Sequence, residues 1–144
     1  MNKIERAVAC FEKGFSCTQA VLSTYGGDYG LSRDTALRVA GAFGGGMGRM
    51  GKTCGAVTGA FMVIGLKHGA KEAKDEDKKE KTYALVREFT ERFRSRNGSI
   101  VCNELLGYDI STPEGRGLAQ EKELFSTLCP GLVKDAAEIL EQLL

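Results

Sequence analysis

Apolar residues recur along the chain at the spacing of an α-helix. Near the amino end they follow one another at intervals of four, three and four residues, which places them on one helix face: Ile4, Val8, Phe11 and Phe15. No segment alternates apolar and polar residues in the way a half-buried β-strand does. The pattern therefore predicts an all-α protein of seven or eight helices. With 144 residues the chain is long enough for a single domain, which we expect to span residues 1–144.

Capping residues mark where the predicted helices begin. Ser16 is followed three residues later by Gln19, which is the pattern of a capping box. Four further residues are predicted to cap helices: Ser32, Thr53, Ser99 and Thr112, the last of them just before a proline. These positions divide most of the chain into short amphipathic helices.

A glycine-rich segment precedes the most apolar helix of the chain. Residues 41–51 contain six glycines in eleven positions, which disfavours regular helix and predicts a loop where backbones approach closely. The helix that follows, from Cys54 to about His68, is apolar on nearly every side, so we expect it at the centre of the bundle. It is shorter than the roughly 20 residues of a membrane span, and no membrane span is predicted. Gly55 and Gly59 on this helix suggest a face for a homodimer.

Composition and charge exclude several classes of function. The chain has 20 basic and 19 acidic residues, a formal net charge of +1 and no tryptophan. It lacks both a strong positive field and an obvious stacking platform, so we expect no nucleic-acid partner. The amino end is polar and has no apolar core like that of a secretory signal peptide, which predicts a cytoplasmic protein. In a reducing cytosol, five cysteines favour metal binding or redox chemistry over a stable disulfide framework.

Four of the five cysteines fall at predicted helix N-termini: Cys17, Cys54, Cys102 and Cys129. Unpaired N–H groups and partial positive charge at a helix start favour a thiolate over a thiol, so we expect lowered cysteine pKa values there. The thiolate is the form that binds a metal or attacks a disulfide. Cys10 lies inside the first helix and is predicted to pack as a small apolar residue.

The spacing of the cysteines narrows their possible uses. The chain has no Cys-x-x-Cys pair, so a thioredoxin-type motif and a c-type haem motif are both absent, and no haem is expected. The close pairs of zinc ribbons and the usual ferredoxin spacings are absent too, although four distant thiolates can still form a tetrahedral zinc site. If the four thiolates converge, they suit an anionic iron–sulfur cluster such as a 2Fe–2S centre. If they approach in pairs, redox disulfides are the alternative.

Four segments carry these cysteines: residues 15–22, 44–59, 102–107 and 129–130. They resemble the redox-active protein family named C_GCAxxG_C_C after its cysteine pattern, and the resemblance covers nearly the whole chain. The second segment contains Cys-Gly-Ala-x-x-Gly from Cys54 to Gly59, with Thr53 where the family name gives glycine. The resemblance implies redox chemistry at the four cysteines. The segments are also similar to the cysteine-bearing region of split-Soret cytochrome c, which implies an iron–sulfur site.

The glycine-rich segment also contains the string of a phosphate-binding P-loop, from Gly46 to Thr53. A P-loop follows a β-strand, whereas a helical pattern precedes this one, so a tight turn is the favoured interpretation. The alternative is an anion site formed by six residues: Gly46, Gly48, Arg49, Gly51, Lys52 and Thr53.

The leading hypothesis from the sequence is a small redox protein. Its four helix-end cysteines would bind an iron–sulfur cluster and exchange electrons with a redox partner protein or a small electron acceptor. One alternative is a metal-free thiol–disulfide oxidoreductase that uses the same cysteines. The other is a non-catalytic anion-binding or interaction module in which the cysteines are structural.

Overall fold

The chain folds into helices joined by turns, and the computed structural model describes all residues 1–144. Eight helices of five or more residues and one single helical turn (α8) follow in order: α1 Lys3–Glu12, α2 Cys17–Tyr25, α3 Arg33–Ala40, α4 Gly55–His68, α5 Glu76–Asn97, α6 Cys102–Leu106, α7 Pro113–Glu121, α8 Leu124–Thr127 and α9 Cys129–Leu143. Short 3₁₀ turns lie at Gly26–Tyr29 and Gly41–Phe43. The structure has no β-strand, and one isolated bridge pairs Thr53 with Val101. The all-α prediction is confirmed.

Helix α4 lies at the centre of the core, as its all-round apolar sequence predicts. Helices α2, α5 and α9 all pack against it, and its residues from Gly55 to Ala60 are buried. Although α4 is apolar on every side, neither it nor any other helix has the length and apolar character needed to cross a membrane.

Gly55 and Gly59 of α4 serve packing within the chain. A Cβ atom at Gly59 would lie 3.0 Å from the Cβ atom of Val21 on α2, so only glycine allows this close approach. The sequence suggested this face for a homodimer through Gly55 and Gly59. That suggestion is wrong for this face, because α2 of the same chain already covers it.

Three of the five predicted caps are confirmed. Ser16 and Gln19 form the complete capping box of α2, and the hydroxyl groups of Ser32 and Thr112 cap α3 and α7. The predictions for Thr53 and Ser99 are wrong.

Long-range backbone pairing explains both errors. Thr53 lies in the isolated bridge, so α4 begins one residue later, with Cys54 as its cap. The Ser99 hydroxyl accepts a hydrogen bond from the Val101 N–H, and Val101 becomes the residue that precedes α6. A contact between distant segments therefore overrides the local capping signal at both positions.

Candidate functional site

All four helix-end cysteines line one cavity. This four-cysteine cavity has a volume of about 100 Å³, and its wall includes Cys17, Cys54, Cys102 and Cys129. All are free cysteines. The remaining wall consists of apolar side chains, one serine and glycine backbone: Phe11, Ser16, Gly45, Gly46, Gly55, Leu105, Leu106, Phe125 and Leu132. The fold thus gathers four thiols from distant parts of the sequence around one largely apolar space.

Each of the four cysteines lies at the start of a different helix. Cys17, Cys102 and Cys129 are the first residues of α2, α6 and α9, and Cys54 is the cap residue of α4. The predicted placement at helix N-termini is confirmed. The positions within the first turn differ slightly, since Cys54 is a cap where a first residue was expected and Cys129 is a first residue where a cap was expected. Four helix starts therefore point toward one cavity, and each brings backbone N–H groups that have no partner within the helix.

Paired backbone hydrogen bonds place Cys54 beside Cys102. The Cys54 N–H donates to the Ile100 carbonyl at 2.7 Å, and the Cys102 N–H donates to the Lys52 carbonyl at 2.6 Å. These two bonds flank the bridge between Thr53 and Val101. This pairing is not visible in the sequence, because a bridge of one residue leaves no alternating pattern of apolar and polar positions.

The glycine-rich segment follows a left-handed path beside the cavity. Five consecutive residues, 45–49, have φ values between 61° and 67°. Glycine adopts this region freely, whereas other residues do so at a cost, and here Met47 and Arg49 also adopt it. The path brings Gly46 against α6, where a Cβ atom would lie 2.7 Å from the Cβ atom of Cys102. The predicted role of this glycine in close approach is confirmed.

The P-loop string does not form a P-loop. A 3₁₀ turn, Gly41–Phe43, precedes the segment in place of a strand. The N–H groups of Met47, Arg49, Gly51 and Lys52 donate to backbone carbonyls, whereas the amide groups of a P-loop point at phosphate.

The six predicted anion-binding residues are placed differently from one another. Gly46 lines the four-cysteine cavity, and Thr53 is held in the bridge. Gly48, Arg49 and Lys52 are exposed, and Gly51 donates its N–H to the Gly45 carbonyl. Anion binding at this segment stays a prediction, and it would depend on the side chains of Arg49 and Lys52.

Burial outweighs the helix termini in setting the thiol pKa values. Burial raises the pKa of Cys54 to about 11, although the backbone N–H groups of Ala56 and Val57 act in the opposite direction. Burial, with the nearby Cys54 and Cys129 charges, raises the pKa of Cys102 to about 12. The expected lowering of the pKa is therefore wrong for these two cysteines, because the apolar wall disfavours the charged thiolate.

Cys17 and Cys129 influence each other's pKa. The interaction between the two side chains raises the pKa of Cys17 well above its ordinary value, and burial raises it further. The same interaction lowers the pKa of Cys129, although burial opposes this effect. The expected lowering is wrong for Cys17 and confirmed only for Cys129, where a neighbouring thiol is the main cause.

The raised pKa of Cys54 predicts alkaline destabilisation of the metal-free protein. Its value of about 11 exceeds the ordinary 9.0, so folding favours the protonated thiol. The resulting stabilisation is present below about pH 9 and is lost as the pH rises toward 11. Between pH 8 and 11, we expect the wild type to lose about 2 kcal/mol more unfolding free energy than Cys54→Ser does. Urea unfolding at both pH values measures this difference, and Cys10→Ser should behave as wild type. Equal losses in wild type and Cys54→Ser would contradict the prediction.

Cys10 lies outside the four-cysteine cavity. Its side chain is buried in the core, with the Sγ atom 3.8 Å from the Ser23 hydroxyl oxygen. The prediction that it packs as a small apolar residue is confirmed, and Cys10 provides a matched control for substitutions at the other four cysteines.

Fold and site together define an all-α protein that holds four free thiols around one cavity. A family model described as "Putative redox-active protein (C_GCAxxG_C_C)" matches residues 15–143. Because the match covers most of the chain, this protein belongs to that family, and the resemblance of the cysteine-bearing segments is confirmed. Neither the curated proteins nor the solved structures include a significant match to the chain.

Proposed function

We propose that the protein carries an iron–sulfur cluster in the four-cysteine cavity and transfers electrons through it. One observation carries the proposal: four free cysteines from four helix starts line a single cavity. No histidine, carboxylate or lysine shares the wall with them. Four cysteines are the usual ligand set of a 2Fe–2S or 4Fe–4S cluster, and membership of a redox-active family supports the same chemistry.

The four cysteines offer a ligand set that suits a 2Fe–2S cluster. No group of three or more His, Cys, Asp or Glu side chains in the structure is arranged to hold a metal ion. A 2Fe–2S cluster distributes four sulfur ligands over two iron atoms, so its ligands need not surround one point. The wall also includes the backbone of Gly46 and Gly55, where glycine lets Cys102 and Cys17 approach closely. These features favour a 2Fe–2S cluster held by Cys17, Cys54, Cys102 and Cys129.

A bound iron–sulfur cluster supplies one-electron chemistry. The protein contributes the surroundings that set how readily this chemistry occurs. The four helix starts place positive partial charge near the sulfur atoms, and the N–H groups of Ala56 and Val57 favour the Cys54 thiolate, which offsets part of the negative charge of four thiolates. Apolar side chains such as Phe11 and Leu132 limit the access of water. The raised pKa values of Cys54 and Cys102 mean that metal loading must release protons and should weaken as the pH falls.

Iron and sulfide analysis with serine variants tests the proposal. Protein purified without oxygen, or reconstituted with iron and sulfide, should contain both elements in similar amounts and absorb visible light. The four single variants Cys17→Ser, Cys54→Ser, Cys102→Ser and Cys129→Ser should each lose most of the iron, because each removes one sulfur ligand. The control variant Cys10→Ser should load as wild type does. Full iron and sulfide in Cys54→Ser would contradict the four-ligand assignment.

A metal-free thiol–disulfide oxidoreductase is the second candidate, and the interaction between Cys17 and Cys129 in the wall of one cavity favours it. These two thiols can form a disulfide by releasing two protons and two electrons to an oxidised partner disulfide, which becomes two thiols. If the protein stays free of iron after reconstitution, mass spectrometry after mild oxidation should find a Cys17–Cys129 disulfide. A protein that neither binds iron nor responds to oxidant would instead support structural cysteines.

A further inference from the structure

We propose that a second cavity, next to the four-cysteine cavity, binds an aromatic anion. This outer pocket is lined by Phe11, Phe15, Arg49, Arg116, Gln120 and Phe125, and its volume is about 360 Å³. Binding of the ligand follows from the outer pocket alone. The ligand's role as electron donor or acceptor rests on the redox function proposed above.

The outer pocket adjoins the four-cysteine cavity. Phe11, Gly45 and Phe125 belong to the walls of both, so one layer of residues separates a ligand in the outer pocket from the thiols. Both phenylalanine side chains are half-buried. A molecule bound here would therefore be well placed to exchange electrons with a group at the cysteines, without entering the smaller cavity.

The charge of the outer pocket points to an anion. Arg49 and Arg116 line it, and no acidic side chain does. Neither arginine takes part in any of the ion pairs of the protein. Arg116 is half-buried at the wall of the pocket. A guanidinium group presents its N–H donors as a planar fork that suits carboxylate, sulfonate or phosphate oxygens.

The apolar residues of the outer pocket indicate that the anion carries an aromatic ring. Phe11, Phe15 and Phe125 contribute three rings to the wall. Aromatic walls favour flat rings through stacked and edge-to-face contacts. The volume of the pocket lies within the range of small-molecule sites, about 300–1,000 Å³. A flat aromatic molecule with one or two negative charges therefore fits both the charge and the surface.

The left-handed loop holds Arg49 at the boundary between the two cavities. Arg49 has a φ value of 62°, a conformation that non-glycine residues rarely adopt. Its side chain lies over Gly45, because a Cβ atom there would be 2.8 Å from the Cγ atom of Arg49. Residues held in such conformations are concentrated at ligand and active sites. A strained arginine in the segment that lines both cavities is the arrangement expected of a ligand contact.

Three redox-inert probes separate the contributions of ring and charge. Isothermal titration calorimetry on the wild-type protein should detect binding of naphthalene-2-sulfonate. Naphthalene-2-sulfonamide, which has the ring without the charge, should bind more weakly, as should methanesulfonate, which has the charge without the ring. Raising the salt concentration should weaken only the binding of the charged probes.

Substitution of the arginines tests whether binding occurs in the outer pocket. Arg116→Gln and Arg49→Gly should each weaken naphthalene-2-sulfonate binding about tenfold, because each removes one charge-assisted contact. Glycine at position 49 preserves the left-handed backbone. The sulfonamide should bind both variants as it binds the wild type. Arg87→Gln is the matched control, because Arg87 is exposed and belongs to no ion pair.

Three outcomes would overturn the inference: no binding of the aromatic sulfonate, equal binding of the two sulfonates, or equal losses in Arg87→Gln and Arg116→Gln. The probes need no electron transfer, so the test is independent of the redox function. Probe binding by a protein that never loads iron or forms a disulfide would leave an aromatic-anion site and remove the redox function. Iron loading without probe binding would support the redox function and remove the aromatic-anion site.

Discussion

Replacement of Gly46 by alanine should destabilise the fold and lower iron loading, whereas alanine at Gly48 should have a milder effect. Both glycines have a left-handed backbone conformation, with φ values of 65° and 61°. Alanine at either position therefore lowers the unfolding free energy by about 1–2 kcal/mol. At Gly46 the new Cβ atom would also lie 2.7 Å from both the Cys102 Cβ atom and the Lys52 nitrogen. Gly48 has no such obstruction, since its nearest neighbour is a carbonyl oxygen at 3.8 Å.

The clash at Gly46 adds about 1–3 kcal/mol to the strain. We therefore expect Gly46→Ala to lower the unfolding free energy by about 2–5 kcal/mol. It should also displace Cys102 from the cavity. Urea unfolding measures the stability, and iron and sulfide analysis of the folded fraction measures the site. Equal stability and equal iron loading of Gly46→Ala and Gly48→Ala would show that the contact between Gly46 and α6 contributes little to the fold or to the site.

Alanine at two glycines of α4 should change stability in opposite directions. At Gly55 a Cβ atom would lie 2.6 Å from the Thr18 hydroxyl oxygen and 3.1 Å from the Cys17 Cβ atom. Thr18 cannot easily yield, because it is fully buried and its hydroxyl is hydrogen-bonded to the Thr58 hydroxyl at 3.3 Å. We therefore expect Gly55→Ala to cost about 1–3 kcal/mol and to move Cys17 away from the cavity.

The control for Gly55 lies in the same helix. Gly65 has no neighbour within 4 Å of the position a Cβ atom would take, so alanine should stabilise α4 by about 0.5–1 kcal/mol. Thermal and urea unfolding of the two variants measure the signs, and iron loading should fall only in Gly55→Ala. A stabilising effect of Gly55→Ala would show that α2 and α4 can separate without loss, which would count against a tightly held Cys17.

Local sequence signals predicted the helices because those signals act within a few residues. Apolar spacing located the central helix α4, and the Ser16 capping box located the start of α2 where the structure has it. These predictions depend on side-chain periodicity and on backbone groups close in sequence. The predictions for Thr53 and Ser99 were wrong because a bridge between residues distant in sequence determines where α4 and α6 begin.

The chemistry of the site was predictable in part. The placement of cysteines at helix starts singled out the four residues that line the cavity, and Cys10 was correctly set apart. Their electrostatics were not predictable. Lowered pKa values were expected from the helix termini, but three of the four values are raised. A helix start is visible in the sequence, whereas the apolar wall around a thiol is known only once the helices have packed.

The sequence by itself determined the all-α class, the starts of α2, α3 and α7, and the identity of the four cysteines, because all of these follow from residue types and short spacings. Only the tertiary structure decided that the four thiols share one cavity. It also decided that Cys17 and Cys129 interact, and that Arg116, which has no ion-pair partner, lines a second cavity beside the first. These features depend on how helices far apart in sequence approach one another. That approach is governed by close packing at positions such as Gly46 and Gly55, where only glycine leaves enough room.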